Sequence, residues 1–143
     1  MERHRVVVTG MGIVCPTGNT VAEAWANIAA GKTGIANIVR FDTTPLENHF
    51  GGEVKNFDPE ALLGRREARR TDRVTQLGVA AAKQCIEDSG ITITDENRYD
   101  VGVVMGSGIG GIGSIFESIE NYLSPRGAKS VSPLMVPMML PDS

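Results

Sequence analysis

Two short runs of apolar residues stand out along the chain, and each is followed by glycine. Residues 5–9 form a β-branched run that Gly10 closes, and residues 101–105 form a second run before a glycine-rich turn. Strands buried on both faces of a sheet show such continuous runs rather than an alternation of apolar and polar residues. The pattern therefore predicts two buried strands.

Longer stretches of the chain have helical periodicity. Asn19 or Thr20 can cap a helix over residues 21–30, which Gly31 ends. Further helices are predicted over residues 59–63, 72–88 and 114–123, and residues 34–60 are irregular apart from a short strand near residues 51–54. Strands that alternate with helices favour an α/β fold with a parallel sheet. Since two strands cannot complete such a sheet, we expect this chain to be part of a larger fold.

Composition and charge exclude several classes of protein. The 143 residues suit one domain, and 41% hydrophobic with 22% charged residues is a globular composition. A net charge of −3 argues against a generally basic nucleic-acid-binding protein. The longest apolar runs are far shorter than the ~20 residues of a membrane helix and too interrupted for a signal peptide. We therefore expect a cytoplasmic protein with reduced thiols, without a membrane or nucleic-acid partner.

The glycine-rich turn at residues 106–111 reads Gly-Ser-Gly-Ile-Gly-Gly and matches the spacing of a dinucleotide-binding loop. That loop needs an acidic residue about 20 positions further on, at the end of the next strand. Residues 126–130 contain no acid and no predicted strand. We interpret the turn as structural or as the lining of an acyl chain, and a nucleotide-binding α/β module remains the alternative from another class.

The cysteines and histidines suggest neither a nucleophile nor a metal centre. Cys15 precedes a proline in a loop, and Cys85 lies on the apolar face of a predicted helix. Both fit small packing residues, because a reactive thiolate needs a base or a helix N-terminus nearby. His4 and His49 have no partner at a useful spacing, so no metal site is expected.

Arginines cluster in residues 65–73, which hold five of the fourteen Lys and Arg residues of an acidic chain. One interpretation is the solvent-exposed start of a helix, where some of the arginines form ion pairs with Glu67 and Asp72. The other is a docking surface for an acidic partner, because clustered arginines attract anionic surfaces. Further along, Met135, Met138 and Met139 fit either core packing or the adaptable wall of a lipid-sized pocket.

Several of these segments together resemble one protein family. In chain order they are RVVVTGMG at 5–12, PTGNTV at 16–21, GKTGI at 31–35, residues 41–43, residues 65–76, residues 101–111 ending in GSGIGG, and SPLMVP at 132–137. The chain resembles the N-terminal part of the β-ketoacyl-acyl-carrier-protein synthases, closest to type II. The resemblance implies a thiolase-like αβαβα layered fold with a mixed, largely parallel sheet, of which residues 1–143 are an incomplete portion.

The resemblance also implies an activity. Such enzymes accept an acyl chain from acyl carrier protein onto a cysteine and condense it with malonyl-carrier protein, releasing carbon dioxide and a 3-oxoacyl product. It implies acyl and malonyl thioester substrates, a homodimer, fatty-acid synthesis, and no metal or redox cofactor. A ketosynthase or chain-length-factor module of a polyketide system is the alternative within the same fold.

The catalytic residues of that family are not expected in this chain. The motif of the nucleophilic cysteine would come shortly after Ser143 and the active-site histidines much later, and neither Cys15 nor Cys85 matches it. We expect the 143 residues alone to be inactive and to need the remainder of the polypeptide.

Two sets of residues carry over by resemblance. An acyl pocket is implied for Gly108, Ile109, Ile112, Met135 and Val136. A surface that docks the carrier protein is implied for Arg66, Arg69, Arg70 and Lys129. The preferred chain length stays open, because many relatives have an aromatic residue at the position of Met135.

Overall fold

The computed structural model describes residues 4–139, which form two compact units. One unit comprises the chain up to Phe57 together with Ala80–Thr92, and the other comprises Asp58–Val79 together with the chain from Ile93 onward. In chain order the elements are α1 Val21–Ala29, β1 Ile35–Asn37, β2 Phe50–Gly52, α2 Pro59–Leu63, α3 Arg65–Ala68, α4 Arg73–Ser89, α5 Ile112–Leu123, a 3₁₀ helix Gly127–Ser130 and α6 Met135–Met139.

In the first unit, the loop that follows residues 5–9 lies directly on α4. The Met11 N–H donates to Asp88 Oδ2 at 2.8 Å, and the Ile13 N–H donates to Gln84 Oε1 at 3.4 Å. A Cβ atom at Gly12 would collide with the Ala81 carbonyl oxygen, and one at Gly10 would lie only 2.5 Å from a backbone nitrogen of the helix. The loop therefore needs glycine at both positions because its backbone packs against helix backbone.

Helix α1 begins as the sequence predicts. Thr20 is the N-cap residue, and its hydroxyl accepts from the Glu23 N–H at 3.2 Å. The Glu23 carboxylate reaches back to accept from the Asn19 N–H at 2.8 Å, a reciprocal arrangement close to a capping box. Gly31 follows the helix with a φ of 67°, in the left-handed region that ends helices.

The sheet of the described residues has two strands and is antiparallel. Strand β1 pairs with β2 so that Ile35 faces Gly52 and Asn37 faces Phe50. The two Glu53 carboxylate oxygens accept from the Val39 and Arg40 N–H groups at 3.0 and 3.1 Å, which fixes the chain after β1. The short strand predicted near residues 51–54 is confirmed as β2, which begins one residue earlier and ends two residues earlier.

The two buried strands predicted from the apolar runs are wrong for the described residues. Neither residues 5–9 nor residues 101–105 form a strand, and most of their side chains are exposed, with Val6 at 91% and Val104 at 98%. A strand needs a ladder partner at hydrogen-bonding distance, and within residues 4–139 neither run pairs with another segment. The expected largely parallel sheet is therefore not formed by this part of the chain.

In the second unit, buried side chains tie α3 to the start of α4. The Gln76 amide, buried at 8% exposure, donates to the Ala68 carbonyl at 2.9 Å and to the Thr71 carbonyl at 3.0 Å. The helix predicted over residues 72–88 is confirmed as α4. Helix α5 starts two residues earlier than predicted, at Ile112.

Large apolar side chains contribute little to the interior of the described part. The buried hydrophobic residues there are the small Ala24, Ala68 and Ala80, and many larger ones are exposed. Among the described residues, no helix has both the length and the hydropathy needed to cross a membrane.

We expect Gly12→Ala to lower the free energy of unfolding of the intact protein by roughly 2–3 kcal/mol, because the new methyl group overpacks the loop against α4. Urea denaturation measures it. Gly113→Ala is the control, since its Cβ would meet nothing closer than 3.7 Å inside a helix. An equal loss in both variants would contradict the close approach of Gly12 to α4.

Candidate functional site

The residues of the implied pocket all lie in the second unit. We name them the acyl wall: Gly108, Ile109, Ile112, Met135 and Val136. Gly108 and Ile109 belong to the glycine turn, Ile112 begins α5, and Met135 and Val136 begin α6, which contacts α5. Ile109 is 70% exposed, Ile112 58% and Val136 54%, so these side chains present apolar surface and do not close a cavity in the described residues.

One hydrogen bond within the glycine turn and one to α6 hold the turn in place. The Ser107 hydroxyl accepts from the Gly110 N–H at 2.9 Å, and the Gly111 N–H donates to the Met139 carbonyl at 2.9 Å. Gly110 has a φ of 84°, which glycine adopts without strain. The N–H groups of Gly110 and Gly111 are therefore already bonded to acceptors of the protein, which argues against the nucleotide-binding alternative.

Asp72 holds the start of α5. Its Oδ2 accepts from the Ser114 N–H at 3.1 Å and from the Ser114 hydroxyl at 2.6 Å, and its Oδ1 accepts from the Val74 N–H at 3.1 Å. The sequence interpretation assigned Asp72 to the arginines and missed this role. The one signal was an aspartate at the start of a predicted helix, which indicates a cap but not a distant partner.

The arginines implied to dock a partner are exposed. Arg66, Arg69 and Arg70 lie on and just after α3, where the buried Ala68 anchors the segment. Arg66 Nε is 4.0 Å from Glu67 Oε1, and both side chains are mostly exposed, so this pair is weak. Within residues 4–139, Arg69 and Arg70 form no ion pair. We name Arg66, Arg69 and Arg70 the arginine surface; Lys129 is exposed on the 3₁₀ helix of the same unit.

The thiols of Cys85 and Cys15 have different hydrogen-bond partners. The Cys85 thiol donates to the Gly10 carbonyl at 3.3 Å and packs the loop onto α4, as expected of a packing residue. The half-buried Cys15 closes a tight turn with Gly18 and lies 3.1 Å from the Thr17 hydroxyl. That hydrogen bond lowers the pKa of the Cys15 thiol because it stabilises the thiolate.

Cys15 also lines a cavity. The cavity, of about 250 Å³, is lined in addition by Asn27, Lys32, Thr33 and Lys55. Nothing in the sequence places these segments together. Among the described residues, no group of three His, Cys, Asp or Glu side chains could hold a metal ion.

Comparison with known proteins connects this geometry to a family. Residues 3–142 match the family model of the beta-ketoacyl synthase N-terminal domain. The 3-oxoacyl-[acyl-carrier-protein] synthase 2 of Vibrio cholerae is 45% identical over 137 residues, which cover 96% of this chain and 33% of that protein. The enzyme of the same name from Staphylococcus aureus strain N315 is 43% identical over 141 residues, which cover 99% and 34%. The chain thus spans about a third of the length of the curated relatives it matches.

A solved structure shows the same fold. The ishigamide ketosynthase/chain length factor superposes with a TM-score of 0.81 at 28% identity, covering 97% of this chain and 34% of the solved chain. The expected fold is confirmed as that of the N-terminal part of a ketosynthase, although residues 4–139 form no layered, parallel sheet.

We expect Cys15 in the intact protein to react with iodoacetamide at a lower pH than an ordinary cysteine, whose pKa is about 8.5. Thr17→Val should move the rate profile to higher pH, because loss of the hydrogen bond raises the pKa of the thiol. Peptide mass spectrometry after timed labelling gives the profile. In the control variant Thr33→Val, which changes another residue of the same cavity, the profile should stay in place, and an equal shift there would contradict the role of Thr17.

Proposed function

The chain belongs to the beta-ketoacyl synthase family, and from that premise we propose that residues 1–143 form the N-terminal part of a 3-oxoacyl-acyl-carrier-protein synthase. The resemblance seen in the sequence is confirmed by the family match, and the relatives carry that enzyme's name. The observation that carries the proposal is that one unit combines an exposed arginine surface with the acyl wall. An enzyme that takes an apolar chain from an acidic carrier needs both.

The proposed reaction has two stages. An enzyme thiolate attacks the acyl-carrier thioester, and the acyl group moves to the enzyme as the carrier thiol leaves. Malonyl-carrier protein then loses carbon dioxide, and the resulting enolate carbon attacks the acyl-enzyme thioester. The enzyme thiol leaves and a 3-oxoacyl-carrier product is formed.

We place the nucleophile outside these 143 residues. The Cys85 thiol is engaged with the Gly10 carbonyl, and neither Cys85 nor Cys15 lies in a segment that matches the motif of the family nucleophile. The contribution of this chain is therefore binding and orientation. Apolar side chains of the acyl wall would contact the chain of the substrate, and the arginines would attract the carrier.

We further propose a cytoplasmic homodimer that works without a metal or redox cofactor. Support for the dimer comes from α5, where Ile112, Phe116, Ile119 and Leu123 recur at helical spacing and are all half exposed or more. Apolar stripes of this kind are rarely left in water.

The alternative is a ketosynthase or chain-length-factor module of a polyketide system, favoured by the likeness to the ishigamide protein at 28% identity. The relatives at 43–45% identity favour fatty-acid elongation. The intact protein, given acyl- and malonyl-carrier protein, should form 3-oxoacyl-carrier protein, which mass spectrometry detects. Formation of no such product would overturn the proposal and favour a chain-length-factor role.

We expect Arg66→Glu combined with Arg69→Glu to raise the KM for carrier-bound substrate on the order of tenfold, equivalent to ~1.4 kcal/mol. The reason is that two attractive charges of the arginine surface become repulsive toward an acidic carrier. Steady-state kinetics at physiological salt measure it.

The matched control is Arg5→Glu combined with Lys32→Glu, which changes the net charge equally at exposed cations of the first unit. Its KM should stay near that of the wild type. Equal effects of the two double variants would show that net charge, and not the arginine surface, decides docking.

We expect Ile109→Phe to shift the preferred acyl chain to shorter lengths, because a larger side chain in the acyl wall takes space from the substrate. Competition between acyl-carrier proteins of different chain length measures the preference. Ile93→Phe places the same change at a half-exposed isoleucine of the same unit, outside the acyl wall. An unaltered profile in Ile109→Phe, or the same shift in Ile93→Phe, would refute the assignment of Ile109.

A further inference from the structure

Helix α5 begins without a cap from its own segment. Its N-cap residue is Gly111, which has no side chain to accept from the first N–H groups of the helix. These groups need acceptors, and a negative charge near them is favourable. The acceptor comes from the start of α4, where the Asp72 carboxylate receives both the N–H and the hydroxyl of the buried Ser114.

The same carboxylate lies against the residues on both sides of Ile112. A Cβ atom at Gly111 would be 3.0 Å from Asp72 Cγ, and one at Gly113 would be 3.7 Å from Asp72 Oδ2. Gly111 in turn donates its N–H to the Met139 carbonyl at the end of α6. The backbone at Ile112, and the contact between the glycine turn and α6, therefore both depend on where Asp72 is held.

Asp72 is itself held firmly. The Gln76 N–H donates to the Asp72 carbonyl at 3.0 Å, and Asp72 Oδ1 accepts from the Val74 N–H. The buried Gln76 side chain fixes the Thr71 carbonyl one residue before Asp72. A carboxylate fixed on both sides in this way is pre-organised to act as an anchor.

We propose that Asp72 is a positioning residue that sets the acyl-chain preference of the protein by anchoring the glycine turn and the first residue of α5. The acyl substrate in this proposal rests on the proposed function, whereas the anchoring of the glycine turn by Asp72 does not depend on that function. Asp72 touches no reacting atom; it acts through Ile112 and the turn that precedes it.

The test uses Asp72→Asn in the intact protein. An asparagine keeps the shape but replaces one of the two accepting oxygens by an NH₂ group, which cannot accept an N–H. We expect amide hydrogen exchange in residues 107–116 to accelerate on the order of tenfold, because local opening becomes easier. The ratio of kcat/KM between long and short acyl-carrier substrates should change roughly threefold or more, because the wall that Ile112 contributes moves.

Asp88→Asn is the matched control. Asp88 also accepts a backbone N–H, that of Met11, but in the first unit. The control makes the same chemical change at a structural aspartate, so exchange in residues 107–116 and the substrate ratio should both stay as in the wild type. Ser114→Ala, which removes the 2.6 Å partner only, should change both readouts in the same direction as Asp72→Asn but by less.

The possible results distinguish the anchoring of the turn by Asp72 from its effect on the acyl-chain preference. Unchanged exchange in Asp72→Asn would show that Asp72 does not anchor the turn. Faster exchange with an unchanged substrate ratio would show a merely structural role and overturn the inference about chain preference. If Asp72→Asn does not fold, Ser114→Ala decides by the same two readouts. If the wild type forms no 3-oxoacyl product, the proposed function fails and the chain preference with it, while hydrogen exchange still decides whether Asp72 anchors the turn.

Discussion

Side chains of α4, and that of the aspartate just before it, accept hydrogen bonds from backbone N–H groups of distant segments, and each unit contains such a contact. In the first unit, Gln84 and Asp88 accept N–H groups of the loop after residues 5–9. In the second, Asp72 accepts the N–H of Ser114 at the start of α5. A half-buried backbone N–H without an acceptor is costly, so the acceptors of the Ile13 and Ser114 N–H groups fix where these segments can lie.

These hydrogen bonds also hold the segments of the candidate site in place. The buried Gln76 ties the arginine segment to the first turn of α4, and Asp72 ties that turn to the glycine turn and to α5. Charge and apolar surface are therefore presented from one hydrogen-bonded framework. Such an arrangement is suited to a substrate whose two ends differ, one an acidic protein and the other an apolar chain, which is the substrate of the proposed reaction.

The sequence allowed the helices and several local features to be predicted because those depend on near neighbours. The Thr20 cap and the end of α1 at Gly31 follow from local chemistry, and α4 follows from apolar periodicity. The runs at residues 5–9 and 101–105 failed as strands, because β-branched composition indicates a preference while a strand also needs a partner. Family membership was predictable because motifs keep their order along the chain.

The residues of the candidate site were assigned only by resemblance, and the hydrogen bonds that support them were not predicted. The bond between Asp72 and Ser114 joins residues 42 positions apart, and no local pattern distinguishes this aspartate from a solvated one. The pairing of Cys15 with Thr17 is local, but its cavity gathers residues as far along the chain as Asn56. Long-range contacts of this kind depend on how the elements are arranged in the fold. The periodicity of apolar residues along the sequence does not show that arrangement.

Hydrogen exchange of the intact protein, measured with acyl carrier protein that bears a long acyl chain and with the unacylated carrier, tests whether the second unit docks the carrier and binds the acyl chain. We expect both carriers to slow exchange in residues 65–72, and only the acylated carrier to slow it also in residues 107–116 and 135–139. Protection confined to other segments would contradict the assignment of this unit to carrier docking and acyl binding.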